Sequence, residues 1–364
     1  MRVVAGRRIG IVAAAAASSV AVVFLLWLTL RIGGNSGVRY FDDIVTALAA
    51  MTACLACFSA GARQVGASHR FWLLLGLALG AWTLAEVIWA VYDLVLHVAV
   101  PVPSWADVGY LGAIPLAAAA LLCHPGMQSA GSRKTLATLD GLAIGTALLL
   151  LSWTFVLGPL WRHTHLTTAG GIVAIAYPFG DMVIIFLIVL SLSAMTAQGR
   201  APLLWVLLGL FAMAVSDSTY TYLVEVGRYA TGNLVDVGWV VGYLAIAVGA
   251  TNEAGEDVAV VAAEGVEPSL VSVVTPYVPV LLALVVMTFE LEIHHQVDRF
   301  SWLAGFGLAL LAIARQGLVV LERHREATSR PGALCTPGKR GSGAVPEHEP
   351  VIATPGPELG RRVP

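Results

Sequence analysis

Trp82, Glu86, Trp89, Asp93 and His97 recur three or four residues apart, a spacing that on a helix gathers two acids, two indoles and an imidazole on one face. In a later apolar run Asp217 stands beside Tyr220 and Tyr222. Carboxylates set among such neighbours relay protons, bind a ligand, or form a structural network with tyrosine, tryptophan and backbone groups. No lysine or arginine occurs at matching depth in either run. The carboxylates therefore either share protons in a hydrogen-bonded network or line a wet cavity. A charge at mid-bilayer costs about 2.5–3.5 kcal/mol on insertion scales, so the stripe is expected to face the interior of a bundle.

A weak repeat connects the two runs. Ser104-Trp105-Ala106-Asp107-Val108-Gly109-Tyr110 and Asn233-Leu234-Val235-Asp236-Val237-Gly238-Trp239 share the pattern [Ser/Asn]-x-x-Asp-Val-Gly-aromatic, and their aspartates follow Glu86 and Asp217 by 21 and 19 residues. A helical hairpin is thus read as duplicated. Asp42 and Asp43, Asp181 after Tyr177-Pro178-Phe179-Gly180, and Asp298 are read as opening three further helices. An aspartate in a first turn meets unpaired amides and the positive end of the helix dipole, and Ser104 or Asn233 can cap reciprocally. The alternative is a ligand-binding acidic ring. The candidate ligand-sensing residues are Glu86, Trp89, Asp93, His97, Asp107, Asp181, Asp217 and Asp236.

The elements that must carry these residues are membrane helices. A chain 58% hydrophobic and 12% charged has too little polar surface to stay in water, and ten apolar stretches occupy 9–30, 44–62, 71–97, 107–123, 136–158, 171–194, 201–223, 234–250, 273–290 and 300–320. The expected fold is an all-α polytopic bundle of about ten spans over 1–326, followed by a disordered tail over 327–364. Arg7 and Arg8 precede a first stretch longer than the apolar core of a cleavable signal, so it reads as a retained anchor. Ten spans with both termini cytoplasmic put 16 lysines and arginines inside and 5 outside, or 8 and 5 without the residues from Arg315 onward. The lipid bilayer is the expected partner. A net charge of -2 gives no footing for nucleic acid.

Other groups carry less. Cys54-x-x-Cys57 lies inside a helix rather than at a strand-to-helix turn, which suits small buried residues better than a redox pair. His97, His163, His165, His294 and His295, with Glu225, Glu290 and Glu292, fall toward the outer face and read as solvated loop residues, the alternative being a metal or pH-sensitive cluster. No metal or cofactor is expected. Gly76-x-x-x-Gly80, Gly141-x-x-x-Gly145 and Gly238-x-x-x-Gly242 let helices approach closely, within a bundle or in a homodimer. The last helix continues without a break through Arg315 to Glu326, and the residues after it contain seven prolines and too few apolar side chains for a core.

The helix from Trp82 to Tyr92, Pro103-Ser104-x-Ala106-Asp107-x-x-Tyr110-Leu111, Leu139-Asp140-Gly141, Tyr177-Pro178-x-x-Asp181 and Asp236-x-Gly238-Trp239-x-x-Gly242-Tyr243 carry a resemblance. Over roughly Phe41 to Glu326 the chain resembles the multi-helix membrane region of actinobacterial diguanylate cyclases and phosphodiesterases. In that family the exit helix, similar here in Arg315-Gln316 and Glu322-Arg323, leads into a GGDEF domain, often followed by an EAL domain. The resemblance implies a sensory input module for cyclic di-GMP signalling. No GGDEF, EAL, P-loop or kinase signature occurs in the chain, so no enzyme activity is expected. The change of composition near Ala327 is read as a frameshift or truncation that replaced the output domain, or as a stand-alone receptor acting through a separate cytoplasmic output protein.

Two other classes compete. A proton-coupled small-molecule transporter would use duplicated halves and midplane carboxylates such as Glu86 and Asp217. An intramembrane aspartyl protease would use Asp93 and Asp181, but Pro178 stands where that motif needs glycine and no Pro-Ala-Leu follows.

Overall fold

The computed structural model describes residues 2–125, 133–154, 158, 169–194, 200–253, 278–294 and 298–328, and every regular element among the described residues is a helix. These are α1 (Arg2–Leu30), α2 (Gly34–Gly61), α3 (Gly66–Ala90) extended by a π-helical turn (Val91–Val95), α4 (Trp105–Cys123), α5 (Arg133–Ser152), α6 (Ala169–Ala194), α7 (Arg200–Glu225), α8 (Asp236–Glu253), α9 (Val278–His294) and α10 (Arg299–Thr328). They lie on the ten apolar stretches. The tail from residue 329, with Cys335, falls outside the described residues.

Seven segments are long and apolar enough to cross a membrane: Ile9–Leu30, Gly34–Gly61, Gly66–Val95, Trp105–Cys123, Ala169–Leu192, Ala201–Val224 and Arg299–Leu321. Their outward faces carry large apolar side chains, with Leu55 61%, Leu84 59% and Phe306 66% exposed. Such continuous apolar surface suits lipid as its solvent. The chain is a multi-pass membrane protein by this measure.

Two compact units divide at residue 320, Met1–Val319 and Val320–Pro364. Within the first, α2 packs on α3, α3 on α4, α4 on α6, α6 on α7, α7 on α8, and α8 returns to α2, closing a ring of six helices. Its core holds Trp72, Leu75 and Leu79 of α3, Leu121 of α4, Leu210 of α7 and Tyr243 and Ile246 of α8, all essentially buried. α1 packs on the outside against α8 and α2. α5 packs on α6 and α9 on α5, and a second cluster joins Ala147 and Leu150 to Val286 of α9 and Leu308 of α10. In the second unit the described residues are the last turns of α10.

Small residues set the tightest crossings. A Cβ on Gly109 of α4 would lie 2.7 Å from the Ala81 carbonyl oxygen of α3, and one on Gly238 of α8 would lie 1.9 Å from the Ser216 Oγ of α7. The glycine of each repeated motif thus meets the preceding helix in the same way. Cys57 is buried, and Cys54 Sγ donates to the Gly76 carbonyl of α3 at 3.4 Å, so this pair packs a helix crossing.

Candidate ligand cavity

The N-terminal turns of α4 and α8, the N-terminal halves of α2 and α6 and the C-terminal turns of α3 and α7 converge at one end of the ring. Cross-links between them fix the arrangement. Tyr177 of α6 donates to Asp107 Oδ1 of α4 at 2.6 Å, Trp239 Nε1 of α8 donates to Asp217 Oδ1 of α7 at 2.7 Å, and Tyr243 of α8 donates to Glu86 Oε1 of α3 at 2.9 Å. The backbone N–H of Gly232, in the turn before α8, donates to both Asp236 Oδ2 at 2.8 Å and Asp42 Oδ2 of α2 at 3.1 Å. Gly232 takes φ 87°, a conformation that suits glycine, and a Cβ there would lie 2.2 Å from Val38.

These groups surround a cavity of about 200 Å³. Seven carboxylates line it (Asp42, Asp43, Glu86, Asp107, Asp181, Asp217 and Asp236) together with Trp82, Trp89, Tyr110, Tyr177, Tyr220, Tyr229, Trp239 and Tyr243. Among the described residues no lysine, arginine or histidine lines it. Tyr220 is the hub of the aromatic wall, with edge contacts to Tyr229 at 4.6 Å, Trp239 at 5.7 Å and Trp89 at 6.3 Å between centroids. Burial pushes the Tyr229 hydroxyl well above its ordinary range, so it stays a donor, and it reaches Asp236 Oδ1 at 3.2 Å.

Six of the eight candidates from sequence come together here: Glu86, Trp89, Asp107, Asp181, Asp217 and Asp236. Asp93 and His97 do not. The π-helical turn at Val91–Val95 inserts i→i+5 bonds and rotates everything beyond Ala90 off the Trp82–Glu86–Trp89 stripe. Asp93 instead takes an ion pair with Arg39 of α2, whose guanidinium also reaches the Asp93 carbonyl at 3.0 Å. His97 is exposed, with φ 53°. Asp93 and Asp181 are thus set apart, the first on Arg39 and the second beside Ser218 Oγ at 3.5 Å and the Asp217 carboxyl. His163, His165 and His295 and the side chains of Glu225, Glu290 and His294 lie outside the described residues, and Glu292 is exposed.

The expected helix openings divide in two. Asp107 forms a capping box with Ser104, whose N–H donates to Asp107 Oδ2 at 2.5 Å. Asp236 accepts the N–H groups of Gly232 and Asn233, each at 2.8 Å, and Asp298 accepts that of Ser301 at 2.7 Å. Asp42, Asp43 and Asp181 are not caps: α2 begins at Gly34 and α6 at Ala169, so these carboxylates sit well inside their helices. Asp181 was expected to open its helix after Tyr177-Pro178-Phe179-Gly180, whereas α6 begins at Ala169 and runs through Pro178. Proline has no N–H to give the Ala174 carbonyl, a local gap that membrane helices tolerate when neighbours pack around it.

Asp42 and Asp43 were legible as acids but not as cavity residues. A longer repeat was the available signal. Trp72-x-x-Leu75-Gly76-Leu77 matches Trp205-x-x-Leu208-Gly209-Leu210, and Phe41-x-Asp43-x-Val45 matches Phe179-x-Asp181-x-Val183. The duplicated unit is therefore three helices, α2–α3–α4 and α6–α7–α8, one on each side of the ring.

The fold and the cavity define an all-helical, multi-pass membrane protein with an acidic, aromatic-walled chamber at one end of a six-helix ring. No family model, curated protein or solved structure matches the chain.

Proposed function

We propose that the chain is a sensory module of the cell membrane, in which the cavity receives a ligand from the outer face and α10 passes the response to the cytoplasm. One observation carries this reading, a continuous line of contacts from the cavity to α10. Tyr177 and Asp181 of α6 line the cavity, and the Phe186 ring of the same helix lies over Gly141 and Gly145 of α5, 3.1 and 3.3 Å from where their Cβ atoms would be. Asp140, next to Gly141, forms an ion pair with Arg315 of α10, and both side chains are mostly shielded. A displacement of α6 on ligand binding has a packed route to α10.

Leu139-Asp140-Gly141 and Arg315-Gln316, two stretches that carry the resemblance to cyclic di-GMP signalling proteins, supply that ion pair. This supports an input region of that kind, without enzyme activity of its own, acting on a separate cytoplasmic output protein or as a homodimer. Support for counting α8 among ten spans with both termini cytoplasmic is its length, about 27 Å at 1.5 Å per residue, and its buried face. The test is a chimera in which a GGDEF domain follows Glu326, with cyclic di-GMP as the readout. Asp181→Asn and Arg315→Met should each shift the output at least threefold. Unchanged output from both, with the chimera at normal level in the membrane, overturns the reading.

A proton-coupled transporter is the second reading. It is favoured by the pair of three-helix units that set carboxylates at matching stations, Asp43 and Asp181, Glu86 and Asp217, Asp107 and Asp236. Acid-driven uptake of a solute into proteoliposomes that disappears in Glu86→Gln would establish it in place of the sensor.

A further inference from the structure

Asp42 and Asp43 are only 4% and 6% exposed and line the cavity, yet no amide, hydroxyl or basic group donates to Asp42 Oδ1 or Asp43 Oδ2. Their only near polar neighbours at those oxygens are other carboxyls within hydrogen-bonding reach, Asp236 for Asp42 and Asp93 for Asp43, which can bond only through a shared proton. Buried carboxylate oxygens are ordinarily satisfied by donors or by a cation, and like charges in contact repel unless a proton or a cation lies between them. Arg39, the basic group nearest in topology, gives its guanidinium to both the side chain and the backbone of Asp93 and offsets only part of the charge at Asp43.

A metal ion is not what these residues suit. Among the described residues no group of three or more histidine, cysteine or carboxylate side chains is arranged to hold one. The surroundings are aromatic instead: Tyr229, which reaches the Asp236 carboxylate beside Asp42, packs on Tyr220. Carboxylates beside ring faces attract an ammonium group, whose charge meets the acid and whose polarised C–H groups meet the rings. An anion would face uncompensated repulsion, and a neutral polyol would leave the charge where it is.

We propose that the cavity binds a small organic ammonium ion, a mono- or diamine whose nitrogen takes the orphaned oxygens of Asp42 and Asp43 while its hydrocarbon part lies among the rings around Tyr220. This rests on the reading of the cavity as a ligand site and names the ligand's class.

The full chain in lipid nanodiscs is titrated with 2-phenylethylamine, 1,4-diaminobutane and tetramethylammonium, and with the neutral isosteres 2-phenylethanol and 1,4-butanediol. Calorimetry and indole fluorescence are the readouts. Saturable binding of at least one amine, tenfold or more tighter than its neutral isostere and weakened tenfold or more in Asp42→Asn or Asp43→Asn with helicity retained, is the expected result. Two acids are tested separately so that a folding defect in one leaves the other. Equal binding of amine and isostere, full affinity in both variants, or no saturable binding of any amine overturns the proposal. The sensory reading fails separately: amine binding followed by uptake into vesicles would remove it and leave the ligand class standing, whereas a chimera that responds to the cavity substitutions while no amine binds would do the reverse.

Discussion

Replacing Gly109 and Gly112 with alanine, one at a time, separates a close helix crossing from ordinary helix propensity on the same helix. A Cβ at Gly109 would lie 2.7 Å from the Ala81 carbonyl oxygen, 2.9 Å from Ala85 Cβ and 3.3 Å from Ala85 N, whereas one at Gly112 meets nothing within 4 Å. Carbon atoms prefer about 3.5–4.0 Å, so α4 must move off α3 by several tenths of an ångström. These neighbours are backbone atoms and a Cβ, which no rotamer change can clear. Overpacking of this kind costs about 1–3 kcal/mol, and alanine returns about 0.8–1 kcal/mol of helix propensity. Gly112→Ala keeps the gain alone. The two variants should therefore differ by about 1–3 kcal/mol, with Gly109→Ala the less stable. Denaturant unfolding of the full chain in bicelles, followed by circular dichroism, measures that difference. Displacement of α4 also carries Asp107 and Tyr110 away from Glu86, so Gly109→Ala alone should change the indole emission from the cavity wall. A difference below about 0.5 kcal/mol would refute the crossing as a close contact.

Three further outcomes follow from single contacts. Trp239→Phe removes the donor 2.7 Å from Asp217 Oδ1 and should cost about 1–3 kcal/mol in the same unfolding assay, with no such loss for Trp302→Phe, whose indole is 62% exposed. Arg315→Met leaves Asp140 charged and mostly shielded and should cost about 3–5 kcal/mol, much of it recovered in the Arg315→Met, Asp140→Leu double variant. His124, at the end of α4 against the Phe71 ring, is pushed down to about 4 by burial. The unfolded chain, with the ordinary value near 6.5, then binds more protons between these limits. Stability is full above about pH 6.5 and falls by up to about 1.4 kcal/mol per unit on the way down to pH 4. His124→Phe should flatten that part of the profile, and an unchanged slope would count against the buried imidazole.

Membrane character and the positions of the ten helices among the described residues were legible in sequence because both depend on composition averaged over about 20 residues. The Asp-Val-Gly repeat was legible for the same kind of reason: Ser104 with Asp107, and Asn233 with Asp236, act within one turn, and local hydrogen bonding needs no knowledge of neighbours. The repeat also marked both acids of the hairpins, Glu86 with Asp107 and Asp217 with Asp236. Sequence periodicity could go no further than the helix on which it was read. It placed Asp93 and His97 on the Glu86 stripe, and a single π-helical turn, a choice of backbone hydrogen bonding worth little in composition, took them off it.

Tertiary structure alone decided that six helices close into a ring, that Asp42 and Asp43 sit well inside α2 rather than at its start, and that Asp42 meets Asp236 while Asp43 meets Asp93, itself paired with Arg39. Those facts arise between segments separated by as many as 190 residues, as in the bond from Gly232 N–H to Asp42 Oδ2. An acid at a helix end and an acid in a chamber have the same local sequence. What distinguishes them is how much helix precedes the residue and which other helices surround it, and both are settled only when the helices pack.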